Sequence, residues 1–171
     1  MFKPCYNLLI CKWKKLKLSA VLDLILMGFL IGQFIGRWGN FMNREAFGAP
    51  TDSFFRMGLT HMITGETTYF HPTFLYESAW NFVGFILIHF LSRKRKYDGQ
   101  VALYYAAWYG LGRSWIEGLR MDSLYWGPFR VSQVLAAVTC VAAVTILIYQ
   151  SKRPHDPADL YVNQVAKQTE E

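Results

Sequence analysis

Apolar positions along this chain fall into long blocks, not into the three-and-four spacing of a soluble amphipathic helix. Four runs stand out, at about 18–36, 73–91, 99–119 and 131–149. Each is close to the roughly 20 residues that carry a helix across about 30 Å of hydrocarbon. The pattern predicts an all-α, polytopic helical bundle with about four transmembrane helices. Asp23 and Gln33 interrupt the first run near its two ends, where water is close. Glu77 and Asn81 open the second run and His89 nears its end. Arg113 and Glu117 lie inside the heavily aromatic third run, and the fourth is the cleanest.

The intervals between the runs divide the chain further. Residues 1–17 form a short basic arm, solvated or laid on the membrane surface. Residues 41–72 form one long connection on the outer side, too aromatic for a disordered linker. Within it, 54–59 and 67–70 are expected to pair as a hairpin across Thr64-Gly65-Glu66. Short polar turns occupy 92–96 and 120–130, the second carrying Gly127-Pro128. The polar tail, 151–171, is expected to be disordered. The membrane domain is therefore 18–150, and it contains no internal repeat.

Composition supports a membrane protein: 53% of residues are hydrophobic and only 18% charged, against roughly 25% in soluble domains. The net charge of +6 raises nucleic acid as a partner, but its placement argues against one. The arm, the 92–96 turn and the tail hold 12 of the 18 basic residues, including every lysine. The positive-inside rule puts that side, and both termini, in the cytoplasm. The rest are all arginines: Arg37, Arg44, Arg56, Arg113, Arg120 and Arg130. Guanidinium binds phosphate as a fork and keeps its charge when partly desolvated. Arginines sorted to the outer headgroup level point to a phospholipid headgroup as ligand. For Arg44, Arg56 and Arg130, simple anchoring at the interface fits as well. The three cysteines, Cys5, Cys11 and Cys140, give neither a disulfide framework nor a zinc site.

Two stretches carry candidate chemistry. Gly28, Gly32 and Gly36 stack into a ridge that another helix can approach closely, and the ridge runs into Arg37 and Asn40. Tyr105, Tyr109, Arg113 and Glu117 recur at every fourth position, with Arg120 next on the same face. An unpaired arginine inside a membrane helix costs about 2.5–3.5 kcal/mol, which Glu117 offsets by pairing one turn away.

These stretches resemble the bacterial prolipoprotein diacylglyceryl transferases. Gly36-Arg37-Trp38-Gly39-Asn40-Phe41-Met42-Asn43-Arg44-Glu45-Ala46-Phe47-Gly48 looks like the family's signature block. His71-Pro72-Thr73-Phe74-Leu75-Tyr76-Glu77 looks like a second block, with Phe74 where the family usually has glutamine. Tyr109-Gly110-Leu111-Gly112-Arg113, then Glu117 and Arg120, looks like a third, and Ser132-Gln133 resembles the start of the last helix. The likeness covers about 12–150. Family members have about seven helices, and the blocks found here belong to their second half. The resemblance implies transfer of diacylglyceryl from phosphatidylglycerol to the lipobox cysteine of a preprolipoprotein signal peptide, at the bacterial inner membrane, with no metal or cofactor. It assigns Arg37 and Asn40 to the headgroup and Arg113 to the departing phosphate, with Glu117 orienting Arg113. Asn43, Gly48, His71, Glu77, Tyr109 and Arg120 are supporting residues. His71 or Glu77 is a candidate for deprotonating the thiol, although a histidine before proline fits a loop-fixing role equally. Two other classes remain open, a non-enzymatic lipid-binding or assembly subunit and half of a transporter. The transporter class expects internal repetition and mid-membrane interruptions.

Overall fold

The first apolar run forms α1 (Leu18–Met42), which continues past the expected end at 36. The block Gly36-Arg37-Trp38-Gly39-Asn40 stays helical, so Arg37 and Asn40 stand on a helix and not in the following loop. Its 25 residues rise about 37 Å, more than the roughly 30 Å of hydrocarbon. The computed structural model describes residues 16–45, 47–61, 64–119, 125–126 and 129–170. Most of the basic arm, Arg120 and the Gly127-Pro128 turn lie outside the described residues.

The remaining elements follow in order. The hairpin is β1 (Met57–Thr60) and β2 (Thr67–Phe70), antiparallel, with Met57 opposite Phe70 and Thr60 opposite Thr67. It starts three residues later than expected, and Gly65 takes the left-handed conformation its turn requires (φ 72°). Then come α2 (Thr73–Ser92) and α3 (Gln100–Ile116), the latter ending in a 3₁₀ turn, Glu117–Leu119. A two-residue ladder of β3 (Tyr125–Trp126) and β4 (Phe129–Arg130) spans the polar turn before α4 (Val131–Ser151). Among the described residues three helices, α1, α2 and α4, are long and apolar enough to cross a membrane. The third run, counted as a fourth span, yields only 17 α-helical residues, and α3 packs against α1, α2 and α4.

The tail is not disordered among the described residues. A 3₁₀ turn (Pro157–Asp159) leads into α5 (Tyr161–Glu170). The Tyr161 N–H donates to Asp98 Oδ2 at 3.0 Å, and Lys17 Nζ reaches the same oxygen at 3.1 Å. Lys17 also donates to the Asp159 carbonyl at 3.2 Å, and His155 stacks on Tyr97 with centroids 4.6 Å apart. Burial pushes the Tyr97 phenol above its ordinary range, so it remains neutral in that stack. Charge pairing and one aromatic contact, which composition does not reveal, draw the tail onto the basic turn. Residues 17, 98 and 159 thus share one end of the bundle.

Asp23 departs from its expected place near water, being only 2% exposed. It caps a different helix. Its Oδ2 accepts from the Gly99 N–H and its Oδ1 from the Ala102 N–H, both at 2.8 Å. Gly99 is the left-handed N-cap of α3 (φ 97°) and has no side chain to cap with, so Asp23 supplies the missing acceptor and a charge that favours the helix N-terminus. Asp23→Ala is expected to lower stability by roughly 1–3 kcal/mol. Thermal unfolding in detergent checks this, and Asp23→Asn, which keeps one acceptor, is expected to lose less.

Candidate functional site

A reciprocal tryptophan clasp fixes α2 against α3. The Trp80 ring lies where a Cβ on Gly112 would be, and the Trp108 ring lies where a Cβ on Gly84 would be. The rings stack with centroids 4.4 Å apart and planes 15° apart. Trp80 Nε1 donates to the Trp108 carbonyl at 3.1 Å, and Trp108 Nε1 donates to the Trp80 carbonyl at 3.0 Å. Both indole N–H groups are satisfied across one interface, which suits a low-dielectric setting. Glu77 lies one turn before Trp80 and Arg113 directly follows Gly112, so the clasp brings these two together. The α1–α2 seam is fixed next to it. Trp38 Nε1 donates to Ser78 Oγ at 3.1 Å, and that hydroxyl donates to the Phe34 carbonyl at 3.0 Å.

Between these seams three helices contribute to one ion cluster. Arg37 Nε lies 2.5 Å from Glu77 Oε2. Arg113 Nη1 lies 3.2 Å from Glu77 Oε1, and Arg113 Nη2 lies 2.7 Å from Glu117 Oε2. Arg130 donates through Nη1 to the Glu117 carbonyl. Glu77 and Glu117 are buried, while the Arg37 and Arg113 side chains remain 22% and 21% exposed. The carboxylates are therefore internal struts and the guanidiniums form the accessible surface. Within it Arg37 and Arg113 are balanced by Glu77 and Glu117, which offsets the cost of holding these charges partly buried. Arg37 meets Glu77 through Nε, and a guanidinium carries further donors on its Nη groups that suit an anion.

The Arg113–Glu117 pair expected from spacing is present. Glu77 lies at the centre of the cluster, with both carboxylate oxygens engaged by guanidiniums, a position suited to holding the arginines in place. Asn40 is half-buried one turn beyond Arg37 on α1. Tyr109 stacks on Tyr105 (5.7 Å, 5° between planes) and lies beside Arg113. Tyr105 in turn donates to Gln33 at 3.5 Å. Asn43 donates to Glu45 Oε1 at 3.1 Å in an exposed turn, where Arg44 takes a positive φ of 54°. Arg56 pairs with Asp52 at 3.5 Å and covers the Tyr69 ring, within the loop. Of the five sorted arginines among the described residues, then, Arg37, Arg113 and Arg130 converge. Arg130 does more than anchor α4, because it satisfies the carbonyl at the end of α3.

The long loop is tied to the cluster by its backbone. Gly48 N–H donates to the His71 carbonyl (2.9 Å), His71 N–H to Ala49 (3.0 Å), and Ala49 N–H to Leu119 at the end of α3 (3.1 Å). His71 Nδ1 sits 3.4 Å from the Tyr76 hydroxyl. A Cβ on Gly48 would come within 2.8 Å of His71 Cβ and 2.9 Å of the Leu119 carbonyl oxygen. Gly48→Ala is therefore expected to cost about 1–3 kcal/mol by overpacking. Faster protease cleavage between residues 47 and 72 would report it. Phe74, where a hydrogen-bonding residue was expected, packs instead against Trp38 and Phe41, with centroids 5.6 and 4.9 Å away.

The glycine ridge of α1 has no neighbour among the described residues. A Cβ at Gly28, Gly32 or Gly36 would meet nothing within 4 Å. Exposed Ile31 and Ile35 lie among these glycines on the same helix.

Comparison with known proteins finds relatives over most of the chain. The family profile described as prolipoprotein diacylglyceryl transferase matches residues 5–149. A phosphatidylglycerol–prolipoprotein diacylglyceryl transferase of Listeria welshimeri is 43% identical over 150 residues, covering 84% of this chain and 54% of the relative. The enzyme so named in Thermosynechococcus vestitus is 47% identical over 133 residues, 73% of this chain and 49% of the relative. That of Finegoldia magna is 43% identical over 150 residues, 87% and 57%. The chain spans about half the length of the curated relatives it matches. With the profile running from residue 5 to 149, through every helix that builds the ion cluster, the chain belongs to the prolipoprotein diacylglyceryl transferase family.

Proposed function

We propose that this chain supplies the phosphate-handling half of a phosphatidylglycerol–prolipoprotein diacylglyceryl transferase. The observation that carries this is the pair Arg37 and Arg113, both paired with Glu77 and both about one-fifth exposed. In the reaction, the sulfur of a lipobox cysteine attacks the glyceryl carbon that bears the phosphate. A carbon–sulfur bond forms and the carbon–oxygen bond to phosphate breaks. The electron pair leaves with glycerol phosphate, and the thiol proton ends on that product. Negative charge thus grows on phosphate oxygens, where prepositioned guanidiniums stabilise it without reorganising. Arg37 and Asn40 hold the headgroup, and Arg113 meets the leaving oxygen. Glu77 and Glu117 fix the guanidinium planes, while His71 fixes the loop. The lysine distribution supports a cytoplasmic position for the end containing Lys17, Asp98 and Asp159, with the ion cluster toward the outer face of the bacterial inner membrane.

The glycine ridge, without a neighbour among the described residues, favours a second statement about this 171-residue chain by itself: it binds an anionic headgroup but does not complete transfer. Helices gain no hydrophobic drive from lipid to close such a gap. The test joins residues 16–150 to the first half of the Listeria welshimeri relative. It then follows thioether formation on a lipobox peptide offered with labelled phosphatidylglycerol. The chimera is expected to transfer and the chain alone to bind without transfer. A well-folded chimera with neither binding nor thioether would refute the assignment.

A further inference from the structure

Arg113 and Tyr109 stand between two openings. One is a narrow crevice beside Glu77 and Asn81, inside the α2–α3 seam. The other is a groove of about 260 Å³ between α3 and α4. The groove has Arg113 and Ser132 at one end, the ends of their helices that face the cluster. Gly110 and Ala136 form its floor, where α4 approaches so closely that a Cβ on Gly110 would lie 2.7 Å from the Ala136 carbonyl oxygen. Leu135 and Thr139 line the rest, and Leu135 is 65% exposed, so the groove opens sideways. Ser132 to Thr139 is about 10 Å of helix, leading away from the interface toward mid-membrane.

We infer that this groove seats one acyl chain of the anionic phospholipid whose phosphate meets Arg113. The inference rests on the phosphate-handling role just proposed and adds the route by which the lipid is held. The polarity matches an amphiphile end to end: one cation at headgroup level, then an apolar trough running inward. A groove of about 260 Å³ along about 10 Å of helix holds a segment of one acyl chain and not a whole two-chain lipid. The second chain stays in the surrounding bilayer. Tyr109 forms the wall between trough and crevice, so the bond to be broken lies beside Arg113 while the chain lies in the trough.

The test uses the full chain in phosphatidylcholine nanodiscs. Trace phosphatidylglycerol carrying a diazirine midway along one acyl chain is photolysed and the labelled peptides are mapped. A phosphatidylcholine probe with the same diazirine gives the background. The phosphatidylglycerol probe is expected to enrich label over 132–139 roughly tenfold above background, the ratio one charge-assisted contact supports. Thr139→Trp, which fills the trough from an exposed position, should remove that enrichment. Val141→Trp, at a residue 66% exposed, should leave it intact. Headgroup-selective enrichment on another face, with 132–139 at background, overturns the groove while leaving the role of Arg113 standing. Equal labelling by both probes everywhere overturns both. Enrichment that survives Thr139→Trp also overturns the groove.

Discussion

Arg113→Lys and Arg37→Lys, placed in a chimera carrying this half, are each expected to reduce the rate of transfer by roughly 10²–10³-fold. Lysine keeps the charge but loses the fork, and each arginine here needs several directions of donation at once. Arg113 engages Glu77 through Nη1 and Glu117 through Nη2. A lysine ammonium cannot hold both carboxylates and still face a phosphate. Folding should survive, since each lysine can still pair with one carboxylate, so thermal unfolding measured alongside separates chemistry from stability. Arg130→Lys is the internal comparison. Its contact is to one backbone carbonyl, which a lysine can also reach, so its effect should be much smaller. Near-full turnover in both Lys variants would contradict the bidentate reading.

Glu77→Ala should be the most destabilising single change in the membrane domain. It removes the carboxylate from between two guanidiniums on different helices and leaves them to repel each other in a partly buried site. Losing one partner of such a pair costs about 3–5 kcal/mol, mostly as charge left uncompensated. The signature is in the cycle, not the single value. Glu77→Gln combined with Arg37→Gln should be more stable than the sum of the two single losses predicts, because the second change removes the charge that the first strands. Unfolding of the four proteins in one detergent measures this. Additive losses would mean that Glu77 does not bridge the arginines.

The sequence made helices and faces legible because both depend on local spacing. The four runs became helices, Arg113 and Glu117 met at i and i+4, and the hairpin formed around Gly65. Contacts between helices were not legible in the same way, since periodicity shows which residues share a face but not which faces meet. Glu77 was singled out, yet its place between Arg37 and Arg113 depends on the tryptophan clasp. That clasp did leave a signal: Trp80 and Gly84, like Trp108 and Gly112, repeat a Trp-x-x-x-Gly spacing on successive antiparallel helices. The Asp23 cap is a tertiary contact and left no local signal. Nor did the tail helix, whose docking depends on Lys17 and Asp98.

The central claim is that Arg37 and Arg113 form one phosphate-binding unit. Its most direct measurement is native mass spectrometry of the 171-residue chain released from nanodiscs of equal phosphatidylglycerol and phosphatidylcholine. The wild-type chain is expected to retain one phosphatidylglycerol in strong preference to phosphatidylcholine. Arg37→Gln and Arg113→Gln should each weaken that preference, and the double variant should abolish it. A wild-type chain that retains the two lipids equally, or a double variant that keeps the preference, would contradict the claim.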